Sequence, residues 1–200
     1  MTKIKFCGLK RREDIDIVNE VKPEYIGFVF YKKSKRYVDL DTAKELKSLL
    51  DPSIQAVGVF VDEPIDNVVD YLNAGAIDIA QLHGNEDEAY ISEVKDRTGK
   101  EVIKAFKITD KDSVDKAFST NADYVLLDAG MGDGVTFDWN LILDIDKPYF
   151  LAGGLGVDNI ANVMRNIRPF AVDVSSGIET DGFKDKAKMI SFAKEVRKED

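Results

Sequence analysis

Cys7 and Asp128 are the residues of this sequence best placed to move protons. Each ends a short run of strand-forming residues, Lys3–Cys7 and Tyr124–Asp128. A thiol and a carboxyl together provide one base and one acid, enough for proton-transfer chemistry. Each also has a plainer reading. A lone cysteine in a strand is commonly an inert small hydrophobe, and an aspartate after a strand commonly caps a helix. His83, the sole histidine, follows Gln81-Leu82, and its position fits substrate hydrogen bonding or a structural role as well as catalysis. With one histidine and one cysteine, a typical zinc site is not expected. No P-loop, Rossmann fingerprint or Ser-His-Asp order is present.

Two glycine-bearing turns point to an anion. Leu151-Ala152-Gly153-Gly154-Leu155 and Val172-Asp173-Val174-Ser175-Ser176-Gly177 each close an apolar run and precede a helical pattern. Glycines let a backbone approach an anion closely, and N–H groups at a turn or helix start point at it. Ser175 and Ser176 add hydroxyl donors. Glycine can also simply close a loop, but two such turns in tandem match the last two strand-to-helix loops of a parallel barrel, where a phosphate commonly binds.

The elements that must position these residues alternate along the chain. Strands are expected over Lys3–Cys7, Tyr25–Phe30, Ile54–Val61, Ile77–Leu82, Val102–Lys107, Tyr124–Asp128, Tyr149–Ala152 and Ala171–Val174. Helices are expected over Arg11–Val21, Asp41–Leu50 with Asp41 as N-cap, Pro64–Ala74 with Pro64 in the first turn, Glu86–Thr98, Asp112–Ser119, Asp138–Leu143, Val157–Asn166 and Asp185–Lys198. Strands alternating with helices predict βαβ units. Eight units predict a single-domain (β/α)8 TIM barrel over residues 1–200, with its chemistry where strands end. The glycine-rich stretch Gly130–Gly134 is either a lid or a long connection.

The 200 residues are 44% hydrophobic, enough for one core but short for such a barrel, so loops and helices must be economical. A net charge of −9 argues against nucleic acid as a partner. No apolar run is long enough to suggest a membrane partner. The first residues lack the apolar core of a signal peptide, and with a lone cysteine a cytoplasmic location is expected. An acidic protein binding an anion needs local cations. Lys32-Lys33-Ser34-Lys35-Arg36 is one supply, although such a run is more commonly a solvated loop.

These residues resemble the phosphoribosylanthranilate isomerase family of tryptophan biosynthesis. The resemblance runs in register through Phe6-Cys7-Gly8-Leu9, Gly27–Tyr31, Ser34–Val38, Val57–Val61, Gln81-Leu82-His83-Gly84-Asn85-Glu86, Ile103–Phe106, Leu127-Asp128, Thr136-Phe137-Asp138-Trp139, the Leu151–Leu155 turn and Val172–Glu179. It implies a cofactor-free barrel enzyme, without metal, performing an Amadori rearrangement. N-(5′-phosphoribosyl)anthranilate would become 1-(2-carboxyphenylamino)-1-deoxyribulose 5-phosphate. By the same resemblance Cys7 is the general base, Asp128 the general acid and Arg36 the clamp on the anthranilate carboxylate. Gln81, His83 and Asp173 bind substrate, and Gly153, Gly154, Ser175, Ser176 and Gly177 hold its phosphate. A monomer or a homodimer is expected. The Cys7 thiolate, facing an anionic substrate, needs a nearby cation or dipole that the sequence does not identify. Lys35, where the family has proline, implies a looser basic loop. Met131, Asp133, Val135 and Gly156 also depart from the family pattern.

Two other classes compete. Another phosphosugar barrel would use a lysine and glutamate, or a metal with paired acids. A non-catalytic phosphate receptor with a flavodoxin-like sheet needs about five strands, fewer than are read here.

Overall fold

The computed structural model of the chain describes residues 1–128, 141–142 and 147–198. Eight strands close a barrel in chain order: β1 (Lys3–Cys7), β2 (Tyr25–Val29), β3 (Gln55–Phe60), β4 (Ile79–Leu82), β5 (Val102–Lys107), β6 (Tyr124–Asp128), β7 (Tyr149–Ala152) and β8 (Ala171–Val174). Every neighbouring pair is parallel, and β8 returns to β1 through the register Lys3↔Ala171, Lys5↔Asp173. Helices α1 (Arg12–Val21), α2 (Leu40–Ser48), α3 (Ile65–Asn73), α4 (Glu88–Thr98), α5 (Lys111–Ala117), α6 (Ile160–Asn166) and α7 (Lys186–Lys198) follow strands, as the βαβ pattern requires.

Side-chain alternation along each strand builds two cores. Outward residues such as Ile4, Phe6, Ile26 and Phe28 pack with Ile15, Val18, Met189 and Phe192 of the helices. Inward residues Tyr25, Val57, Ile79, Ile103, Leu126 and Phe150 fill the barrel. Tyr25, Tyr124, Phe150 and Phe170 interlock at the N-terminal ends of the strands, with contacting centroids 5.3 to 5.7 Å apart. This aromatic floor leaves the C-terminal mouth as the polar end.

Several boundaries differ from the sequence reading for local reasons. The cap of α2 is Asp39, whose carboxylate accepts from the Thr42 N–H at 2.9 Å, not Asp41, which lies inside the first turn. Pro64 is the N-cap itself and α3 starts at Ile65. Asp110 caps α5 and sets its start at Lys111. Asn159 delays α6 to Ile160 by bonding Gly154 and Gly156. The sequence reading contained no hairpin between β8 and α7, yet β9 (Glu179–Thr180) and β10 (Phe183–Lys184) pair antiparallel there. Asp181-Gly182 links them with φ of 53° and 79°, the positive angles of a two-residue type I′ turn. Gly130–Gly134 and the motif Thr136–Trp139 lie outside the described residues, as does most of the expected helix Asp138–Leu143.

Candidate functional site at the barrel mouth

Cys7 is the last residue of β1 and points inward, buried. Two residues earlier on the same face lies Lys5, fully buried, its Nζ 2.8 Å from Asp173 Oδ2 on β8. The other Asp173 oxygen is buried without a partner among the described residues. Ser175 Oγ donates to the Cys7 carbonyl at 3.1 Å, so this hydroxyl ties β8 to β1. Burial pushes the Cys7 thiol up, and Asp173 adds to this; the Lys5 and Lys184 ammonium groups act in the opposite direction. Burial would lower Lys5, but Asp173 and Cys7 more than offset it and hold the ammonium above its ordinary value.

Arg36 reaches the mouth from the basic loop. Its Nε and Nη2 form a fork on Glu179 at 2.6 and 2.7 Å. Glu179 also accepts from the buried Lys184 at 2.7 Å. These two cations take the Glu179 carboxyl down to about 2, against a burial effect that would raise it. The lysines at 32, 33 and 35 are exposed, so the bland reading of the run holds for them but not for Arg36. The loop is nonetheless well tied: Ser34 N–H donates to the Tyr31 carbonyl, and Ser34 Oγ accepts from the Arg36 N–H.

Asp128 ends β6 on the opposite side of the barrel. Its Oδ2 lies 3.5 Å from His83 Nε2, and both side chains are about a third exposed, at 32% and 35%. Gln81 Nε2 sits 3.1 Å from His83 Nδ1. With that amide as donor, the imidazole proton resides on Nε2 and faces Asp128. Gln81 Oε1 is buried without a partner among the described residues. Buried Glu86 fixes this turn by accepting from the Asp62 and Gly84 N–H groups and from Lys104 Nζ, all within 2.8–2.9 Å.

The glycine turns meet at the β7–β8 side. Gly153 and Gly154 have φ of 93° and 65°, a conformation side chains disfavour. Gly177 does not line the cavity. It is where the two turns touch: a Cβ there would sit 2.6 Å from the Gly156 Cα and closer still to the Leu155 carbonyl oxygen. Cys7, Arg36, Gln81, His83, Asp128, Gly153, Gly154, Asp173, Ser175 and Ser176 all line one cavity of about 250 Å³. Among the described residues, no group of three His, Cys, Asp or Glu is arranged to hold a metal. No helix among them is long and apolar enough to cross a membrane.

Lys5, Glu179 and Lys184 were missed by reading the sequence. The alternation Lys3, Lys5, Cys7 against Ile4, Phe6 is a signal for Lys5, because in a barrel one of those faces must be internal. The Asp181-Gly182 dipeptide is a signal for the hairpin that carries the other two.

A closed parallel barrel of eight strands with its polar groups gathered at the C-terminal mouth is that of a TIM-barrel protein. Residues 4–195 match the family described as N-(5′phosphoribosyl)anthranilate (PRA) isomerase. The chain belongs to this family. It is 48% identical over 202 residues to the N-(5′-phosphoribosyl)anthranilate isomerase of Endomicrobium trichonymphae, spanning 98% of this chain and 99% of that one. It is 47% identical over 207 residues to that of Clostridium acetobutylicum, spanning 99% of each. The crystal structure of phosphoribosyl anthranilate isomerase from Thermotoga maritima superposes with a TM-score of 0.90 at 35% identity, over 99% of this chain and 100% of that one. A phosphoribosyl anthranilate isomerase in complex with reduced 1-(o-carboxyphenylamino)-1-deoxyribulose 5-phosphate superposes with a TM-score of 0.89 at 35% identity and the same coverage.

Proposed function

We propose that this chain isomerises N-(5′-phosphoribosyl)anthranilate by general acid–base catalysis, with Cys7 as base and Asp128 as acid and no cofactor. The observation that carries the assignment is the shared cavity: thiol, carboxyl, guanidinium and both glycine turns face one space. Asp128 donates a proton to the furanose ring oxygen, and the ring opens to an iminium. The iminium acidifies the C2′ proton, which Cys7 takes as thiolate. The resulting enamine tautomerises to the aminoketose, an internal redox change that makes the enzyme an intramolecular oxidoreductase. The bound anionic substrate also covers the mouth, favouring the protonated Asp128 needed for the first step.

Arg36 presents its remaining Nη1–Nη2 edge to the anthranilate carboxylate, since Glu179 occupies the other. The turns at Gly153, Gly154, Ser175 and Ser176 take the phosphate, and Gly177 lets them meet. Gln81, His83 and Asp173 offer polar groups to the sugar. The enzyme is read as one cytoplasmic domain, monomeric or a homodimer, with this small molecule as partner and neither nucleic acid nor membrane.

The test uses the fluorescence of phosphoribosylanthranilate generated in situ. The native chain should quench it without added metal. Cys7→Ala should lose roughly 10²–10⁴-fold in kcat while its circular dichroism stays native. Near-normal turnover in that variant would rule Cys7 out as the base.

A further inference from the structure

Lys5 is a charged group at the centre of the barrel, and the proton transfers do not use it. It is 0% exposed, and an ammonium withdrawn from water costs several kcal/mol unless paired. Its direct partner is Asp173 at 2.8 Å. A pair confined to those two would be neutral and inert, and of weak value to stability. The geometry gives it a third member. Lys5 and Cys7 are residues i and i+2 of one strand, so both side chains project to the same interior face, and each pushes the other toward its charged form. The register Lys5↔Asp173 holds the carboxylate alongside.

We propose that Lys5 is the counter-cation of the base: its ammonium, anchored by Asp173, stabilises the Cys7 thiolate inside the barrel. The proposal rests on Cys7 being the base and makes Lys5 a positioning residue, acting through the thiol without touching the reacting atoms. The thiol proton leaves to water through the mouth before substrate closes it. Among the described residues, the charged groups facing Cys7 are Lys5 on its own strand, Asp173 on β8, Lys184 on β10 and Arg36 on the basic loop. Asp128 and His83 face it across the cavity. Lys184 and Arg36 share Glu179 on the loop side, whereas Lys5 is, among the described residues, the buried cation on the base's own strand, beneath the thiol on the same interior face.

The test is direct because Cys7 is the only cysteine. Thiolate absorbance near 240 nm, or the alkylation rate with iodoacetamide, is followed against pH in the free protein. Lys5→Met should move the thiolate midpoint up by about one unit or more, a roughly tenfold loss of thiolate at a fixed pH below it. The pH–kcat/KM profile should move with it, while competitive inhibition by inorganic phosphate stays native. A lone buried Asp173 threatens the fold of that variant. The double variant Lys5→Met/Asp173→Leu therefore removes the pair together, and it should also titrate higher than the native protein. An unmoved midpoint in the folded variants, or a downward shift, overturns the proposal. Turnover surviving in Cys7→Ala would overturn the assignment of the base instead, and would leave the titration result standing.

Discussion

At the scale of single residues, the site depends on which charges are already engaged. Glu179 holds one edge of the Arg36 fork and so fixes the direction of the other, the edge proposed to take the substrate carboxylate. Glu179→Gln should therefore weaken substrate binding by lengthening and weakening that hold, raising KM several-fold with kcat nearly constant. Initial rates against substrate concentration check it, and an equal fall in kcat and kcat/KM would mean that Glu179 acts in the chemistry. The same variant has a pH signature. The folded Glu179 carboxyl titrates near 2, well below its ordinary 4.5. Its ion pairs thus contribute stability that is complete above about 4.5 and disappears as pH falls toward about 2. Glu179→Gln should be less stable at neutral pH, and its urea midpoint should fall less steeply than that of the native chain across that window. Parallel curves would show that the pairs contribute nothing to folding.

At the scale of elements, the two glycine turns are built as a pair, and the phosphate proposed to bind them would need both. Gly156 and Gly177 form a backbone bridge between them, and a Cβ on Gly177 would strike backbone with no room to yield. Gly177→Ala should push the turns apart, at a cost of about 1–3 kcal/mol, and weaken inhibition by inorganic phosphate. Unchanged phosphate inhibition would remove the turns from the anion site. Much of this level was legible in the sequence. Strands such as Val102–Lys107, Tyr124–Asp128 and Tyr149–Ala152 read correctly to the residue, because β-branched and aromatic runs bounded by polar residues admit little else. Cys7, Asp128 and the glycine turns read correctly as strand ends for the same reason. Helix starts read less well: Asp39 and Asp41 are both acceptable caps by type, and only the observed hydrogen bond to Thr42 chooses between them. Lys5 was harder to read: the alternation with Ile4 and Phe6 marks its face as internal once a barrel is assumed, but a lysine in a short strand is ordinarily solvated, and the partner that permits its burial, Asp173, lies far along the chain on β8.

At the scale of the whole molecule, the chemistry straddles the line where the first strand meets the last. Lys5 and Cys7 lie on β1, whereas Asp173, Ser175, Glu179 and Lys184 all come from β8 or beyond. In refolding from urea, recovery of activity should follow the slowest phase, the one that brings β8 onto β1, and should lag the return of helical circular dichroism. Activity that returned together with the early helical signal would contradict this. The seam also has a meaning for synthesis. A nascent chain that has emerged through β6 already carries the proposed base and acid, yet it lacks the anchor for Lys5, the carboxylate that pairs with Arg36 and both glycine turns. Such a chain holds a buried-type lysine with nothing to neutralise it, so a prematurely closed ring is penalised until the final stretch arrives. The charge at the heart of the barrel thereby acts as a clasp that only β8 can fasten, tying the closure of the ring to the arrival of its last strand.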